Sequence, residues 1–168
     1  IYALCKKENY HVLIDVGSYF LNSNSYNIAL KFYKTFINDY VEGNKSIEAV
    51  VYIDESNKKL AIYQDKIIKY TDLIEKIALP KIFYYYDQSH ITGQDMKIFA
   101  NAKGLITISS FNRYRDVAQG IYRMRKINQT QSIDYFITSR NASIISKQLK
   151  LLSNVNSINS ITTIFNEV

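Results

Sequence analysis

Tryptophan is absent from this 168-residue sequence, proline and cysteine occur once each, and glycine occurs five times. A lone thiol, Cys5, excludes an internal disulfide framework and a cysteine-rich zinc site. No apolar run approaches the roughly 20 residues that a membrane-spanning helix needs, so no membrane partner is expected. Lys6, Lys7 and Glu8 interrupt any apolar stretch near the start, and no signal peptide is read there. Internal repeats and low-complexity tracts are also missing. What remains is ordinary globular material, 47% hydrophobic, of a length that suits one domain. The expectation is an intracellular protein, cytoplasmic or nuclear. Because the first residue is Ile1 rather than Met, a piece of something longer is expected.

Acidic residues are scarce in one place. Residues 1–96 hold 11 Lys against 12 Asp and Glu, a net of −1. Residues 97–150 hold ten Lys and Arg against only Asp116 and Asp134, a net of +8. All five arginines (Arg113, Arg115, Arg123, Arg125 and Arg140) lie in that second stretch. Arginine suits planar, bidentate capture of phosphate or carboxylate. The cluster therefore points to an anionic ligand such as RNA or DNA, with a plain solvated helix face as the alternative.

Strands and helices alternate along the chain. His11–Val16, Glu48–Ile53, Lys59–Tyr63, Ile82–Tyr86, Gly104–Ser109 and Ile133–Thr138 read as strands. Glu55, Ser56, Asn57 and Lys58 suggest a hairpin between the second and third. Asn24 or Ser25 caps a helix whose Tyr26, Ala29, Leu30, Tyr33, Ile37 and Tyr40 share a face, with Gly43 as its stop. Thr71 caps a short helix ending before Pro80. Asn112 opens a basic helix with Tyr114, Val117, Ala118 and Ile121 on one side, and Ala142–Leu152 forms the last. This pattern predicts an α/β domain with a mainly parallel sheet flanked by helices, spanning residues 1–152. The Ser- and Asn-rich stretch 153–168 reads as a linker or the start of a further segment.

The stretch from Tyr84 to Thr138 carries most of the chemistry. It runs strand, polar loop, strand, arginine-bearing helix, strand. The loop offers Asp87, Gln88, Ser89, His90, Thr92 and Asp95 around Gly93. The helix offers Gln119 and Arg123 four residues apart on one face. Arg125 falls about 200° further round a regular helix than Arg123, so the two are not expected to share one ligand.

A loop with Gly-x-Asp followed by a strand and a Gln-x-x-x-Arg helix resembles motifs five and six of superfamily-two helicases. Those motifs lie in the second RecA-like domain, and Asp95 and Gln119 stand 24 residues apart here. A fuller resemblance is to the helicase-like region of very large eukaryotic proteins, whose fungal members carry the label ubiquitinyl hydrolase. Their pattern D-E-x-H-x-x-G-x-D-x-K is matched by Asp87-Gln88-Ser89-His90-Ile91-Thr92-Gly93-Gln94-Asp95-Met96-Lys97. Their Q-A-x-x-R-M-R-K-x-x-x-x-Q-S is matched by Gln119-Gly120-Ile121-Tyr122-Arg123-Met124-Arg125-Lys126 and Gln131-Ser132. Leu13–Phe20 and Val50–Ser56 resemble segments of the same proteins, so the likeness spans about residues 11–138.

The resemblance implies a RecA-like fold of the P-loop NTPase kind. It also implies a second motor domain that lends Arg123 as an arginine finger to ATP and Mg²⁺ held by a first RecA-like domain of the same polypeptide. Gln119 would orient that finger or touch the nucleotide. Gly93, Asp95, Arg125 and Lys126 would lie at the nucleotide or a phosphate. Three departures stand out. Tyr122 and Lys126 replace the Gly and final Arg of the general helicase motif. Gln88 replaces a Glu and cannot serve as a base. No G-x-x-x-x-G-K-[ST] occurs, so the chain alone is not expected to hydrolyse ATP.

Other readings are a catalytically silent module that binds nucleic acid or protein, and a part of a thiol-dependent ubiquitinyl hydrolase. Asp54-Glu55 imitates a magnesium-holding strand end but suits a turn. Asp87-x-x-His90 imitates a metal pair, which His11 or Asp95 would have to complete, but suits a loop hydrogen-bond network. No metal is expected. Cys5 with His11 or His90 imitates a thiol nucleophile and base, but suits an inert cysteine. Tyr84, Tyr85 and Tyr86 suit a core strand better than base stacking.

Overall fold

The computed structural model describes residues 1–37, 47–93, 95–127 and 129–152. In chain order these form α1 (Tyr2–Lys7), β1 (Val12–Ile14), α2 (Ser25–Ile37), β2 (Ala49–Ile53), β3 (Lys59–Tyr63), β4 (Lys66–Lys69) and α3 (Tyr70–Ile74). There follow β5 (Ile82–Tyr86), β6 (Lys103–Thr107), α4 (Tyr114–Ile121), β7 (Ser132–Phe136) and α5 (Ser139–Leu152). Seven strands make one mixed sheet in the order β4-β3-β2-β5-β1-β6-β7. The five from β2 to β7 are mutually parallel, while β3 and β4 add an antiparallel edge. The expected α/β domain with a mainly parallel sheet is therefore present. No helix among the described residues is long and apolar enough to cross a membrane. The proposed linker 153–168, Tyr40 and Gly43 lie outside the described residues.

Strand alternation builds two cores. Val12, Ile14, Val51, Tyr84, Tyr86 and Ile106 point to one face, where Leu73 of α3, Met96 and Met124 cover them. Leu13, Val50, Phe83, Tyr85 and Leu105 point to the other, under Cys5 of α1 and Ile28, Phe32 and Phe36 of α2. β2 and β5 are buried along their whole length, as central parallel strands covered on both faces must be. Tyr84, Tyr85 and Tyr86 are thus core residues. Phe32 stacks on Phe83 with ring centroids 4.7 Å apart, and side chains of this size contribute roughly 1.5–3 kcal/mol each when fully buried.

Several expected boundaries move. The buried side of α2 is Ile28, Ala29, Phe32, Tyr33 and Phe36, whereas Tyr26 and Ile37 are exposed. Asn24 does cap α2, its Oδ1 accepting from the amide of Asn27 at 2.8 Å. Lys69, not Thr71, is the N-cap of α3, because the Thr71 hydroxyl donates to Asp72 instead. Arg113 is the N-cap of α4. Asn112 braces the preceding loop, accepting from the Ser109 amide at 2.7 Å and donating to the Val16 carbonyl at 2.9 Å.

The crossover from β5 to β6 contains no α-helix. Residues 95–102 run down the sheet face, and side chains satisfy their backbone groups. The Tyr70 hydroxyl accepts from the Lys97 amide at 2.7 Å, and the Tyr84 hydroxyl donates to the Lys97 carbonyl at 2.7 Å. Gln131 Nε2 donates to the Phe99 carbonyl at 2.8 Å, and Thr130 Oγ1 donates to that of Ala100. Without such partners a buried irregular segment would leave polar groups unsatisfied.

Candidate functional site

Parallel strands deliver their carboxyl ends to one edge of a sheet, where ligands of such folds gather. One cluster occupies that edge beside α2, and a second group of charges lies beyond α4.

Beside α2, alternation places the residues that follow the strands. Leu13 and Phe83 face α2, and so do the positions two and four residues on from them. The carboxylates of Asp15 and Asp87 therefore emerge on the same side as Thr107 of β6. Asp15 is 2% exposed. Its Oδ1 accepts from Thr107 Oγ1 at 2.6 Å and from the Tyr19 amide at 3.0 Å, and its Oδ2 accepts from the Phe20 amide at 3.3 Å. Thr107 Oγ1 in turn accepts from the Gly17 amide at 2.9 Å. Burial raises the Asp15 pKa, and the nearby charge of Asp87 adds to this, while its hydrogen bonds oppose it.

Asp87 gathers more partners. Its Oδ2 accepts from Ser25 Oγ at 2.6 Å and from His90 Nδ1 at 2.7 Å. Its Oδ1 accepts from the Ser89 amide at 2.9 Å and the His90 amide at 3.2 Å. Burial alone would raise its pKa, but hydrogen bonds from Ser25, Ser89 and His90 outweigh that and hold it below the usual carboxylate range. Ser18, in the loop after β1, donates to Gln88 in the loop after β5. With Nδ1–H given to a carboxylate, Nε2 is the basic atom of His90. Asp15, Ser18, Ser25, Asp87, Gln88 and His90 share a cavity of 620 Å³. Among the described residues no Lys or Arg lines it.

Beyond α4 the chemistry is reversed. The helix stops at Ile121, with Tyr122 as its C-cap, and the chain turns so that the Arg123 amide donates to the Gly120 carbonyl at 3.0 Å. Arg123 and Arg125 therefore lie in turns rather than on a regular helix, and the 200° separation does not apply. The cause is packing. Gly120 sits so close to the sheet that an added Cβ would meet Val16 Cγ2 at 2.7 Å, and buried Met124 plugs the face beside Gly104.

Arg125 Nε donates to Asp95 Oδ1 at 3.2 Å. Lys59 Nζ donates to the Asp95 carbonyl at 2.6 Å. Gly93 precedes this pair with φ of +73°, a conformation that glycine adopts without strain. Burial raises the pKa of the Tyr86 hydroxyl, and the charges of Arg123 and Arg125 partly offset this. Gln119 is half-buried on α4, and Lys126 is exposed. The Lys126 amide donates to Gln131 Oε1 at 2.8 Å. The fold thus joins Asp95 to Arg125, with Gly93 two residues before the first and Gln119 on α4 ahead of Arg123.

The remaining candidates take structural positions. Asp54 Oδ1 accepts from the Ser56 amide at 2.9 Å and the Lys58 amide at 2.7 Å, which makes a turn. His11 lies at the opposite end of β1 from Asp15, edge-on to Phe99, and cannot join His90. Among the described residues, no three His, Cys, Asp or Glu side chains are placed to hold a metal. Cys5 is fully buried, and burial pushes its thiol up to about 12. Asp116 caps α4, its Oδ2 accepting from the Arg113 amide at 3.3 Å.

Asp15, Ser18 and Ser25 were not singled out as site residues from the sequence. The available signal was position: Asp15 directly follows an apolar strand, and Ser25 opens a helix. No protein-family model, curated protein or solved structure matches the chain.

Proposed function

We propose that this chain is the second, RecA-like motor domain of a helicase-like ATPase, and that it acts on ATP bound by a first domain. The observation that carries the reading is the Arg125–Asp95 contact at 3.2 Å. It brings together the two motif-like segments, Gly-x-Asp and Gln-x-x-x-Arg-Met-Arg. Arg123, which stands at the finger position of the Gln-x-x-x-Arg pattern, is the cation for the transferring phosphoryl group. A guanidinium there stabilises charge that develops in the transition state. Gln119 positions it from the preceding turn of α4. In this reading Mg²⁺ and the phosphate-cradling amides belong to the first domain, since the 168 residues contain no G-x-x-x-x-G-K-[ST].

The test uses the longer protein that includes the first domain. Arg123→Ala is expected to lower ATP turnover by about 10³-fold or more, with the melting temperature unchanged. Undiminished turnover in that variant would sink the reading. Cys5 supports no thiol chemistry, because its sulfur is packed under α2 and held protonated.

A further inference from the structure

The loop between β6 and α4 and the first turn of α4 carry two aromatic rings that stand out into solvent among the described residues. Phe111 and Tyr114 are each 90% exposed, and they alternate with Arg113 and Arg115, both exposed. Arg140, also exposed, opens α5 next to Asn141, whose Oδ1 accepts from the Ser110 hydroxyl at 3.1 Å and the Ser110 amide at 3.3 Å. Asn112 ties the same loop to Ser109 and to the Val16 carbonyl. The rings thus project from backbone that is already fixed, so a ligand meeting them loses little loop entropy on binding. The nearby carboxylate, Asp116, is occupied in capping α4 and in a 3.7 Å contact with Arg115 Nε.

From this combination we propose that the β6–α4 loop is a stacking platform for single-stranded nucleic acid. Bases lie on Phe111 and Tyr114, and backbone phosphates meet Arg113, Arg115 and Arg140. Rings offer every base a face, and guanidiniums follow the phosphates, which is how single strands are held without sequence readout. The charge favours a polyanion as occupant: the rings lie within residues 97–150, whose ten Lys and Arg against two Asp leave a net of +8, which draws a strand of phosphates. The platform needs neither ATP nor a first domain, so it stands or falls apart from the motor reading.

The experiment measures fluorescence anisotropy of labelled 12-nucleotide oligouridylate, oligothymidylate and an abasic sugar-phosphate strand with the 168-residue chain at low salt. The wild type is expected to bind both base-bearing strands, and the abasic strand at least tenfold more weakly. Phe111→Ala with Tyr114→Ala is expected to weaken binding of the base-bearing strands by about tenfold or more, with an unchanged melting temperature because both rings are exposed. Arg113→Ala with Arg115→Ala is expected to lower the salt slope. Equal binding of the abasic strand would overturn the platform, as would wild-type affinity in the double aromatic variant or no binding of any strand. Loss of a protein contact in the aromatic variant, with nucleic-acid affinity intact, would overturn it too.

Discussion

On a single sheet, the cavity beside α2 and the turns beyond α4 treat charge in opposite ways. Beside α2, carboxylates are buried and saturated: Asp15 accepts three hydrogen bonds and Asp87 is ringed by Ser25, Ser89 and His90. Beyond α4, the Arg125–Asp95 pair is open to water, with side chains 56% and 73% exposed. The first cluster fixes its loops from within. In the second, arginines are held at the rim, where a ligand or a neighbouring domain can compete for them. One region is scaffold with a polar cavity, and the other is a reserve of cations.

The largest expected effect lies on the saturated side. Asp15→Ala leaves the Thr107 hydroxyl and the Tyr19 and Phe20 amides without their acceptor, in a place closed to bulk water. The relief of no longer burying a charge offsets part of that loss. A net destabilisation of about 3 kcal/mol is expected, read as a lower midpoint in urea unfolding. A loss below about 1 kcal/mol would mean that the carboxylate does not organise this edge, and the contrast between the two regions would weaken.

Asp87 gives a smaller and pH-dependent effect. Its folded pKa lies below the unfolded value near 4, so the carboxylate contributes stability above that value and loses it as pH falls through the folded pKa. Asp15 has the opposite sign. Its folded pKa is raised, so burying it ionised costs stability at neutral pH, and that cost fades as acid protonates it. Asp87→Asn is therefore expected to destabilise by about 1 kcal/mol at pH 7, with the gap from wild type closing below about pH 4. A gap that stays constant from pH 7 to pH 3 would show that Asp87 acts by packing rather than by charge.

Legibility divides along the same line. Continuous β-prone runs such as Ile82–Tyr86 announced the central strands, because strands buried on both faces are apolar throughout. The β3–β4 hairpin did not show, since its turn is Gln64-Asp65. Both residues adopt positive φ, +49° and +58°, without the Asn-Gly signature that usually marks such a turn. The side of α2 was read one position off because Tyr26 and Ile37 are apolar yet exposed, while Ile28, Phe32 and Phe36 do the packing. The network around Asp87 was foreseen as a local loop, but Ser25 and Asp15 reach it from distant sequence, and only the parallel sheet brings them there. On the basic side, the arginines were plain in composition. The end of α4 before Arg123 was not, since it depends on Gly120 and Met124 fitting against strands that no local window contains.

The smallest effect is also the one that best separates the two regions. An exposed ion pair such as Arg125–Asp95 is screened by water and salt and contributes roughly 0.2–1 kcal/mol. A double-mutant cycle with Arg125→Ala and Asp95→Ala should give a coupling energy within that range in urea unfolding, falling further in 0.5 M salt. Asp15 should show no comparable salt dependence, because its partners are a hydroxyl and two amides rather than a counter-charge. A coupling well above 1 kcal/mol, insensitive to salt, would show that the arginine turn is as firmly built as the cavity. Arg125 would then be a strut that holds the loop after Gly93 against the sheet, and the cations free to meet a ligand would have to be sought among the arginines flanking Phe111 and Tyr114.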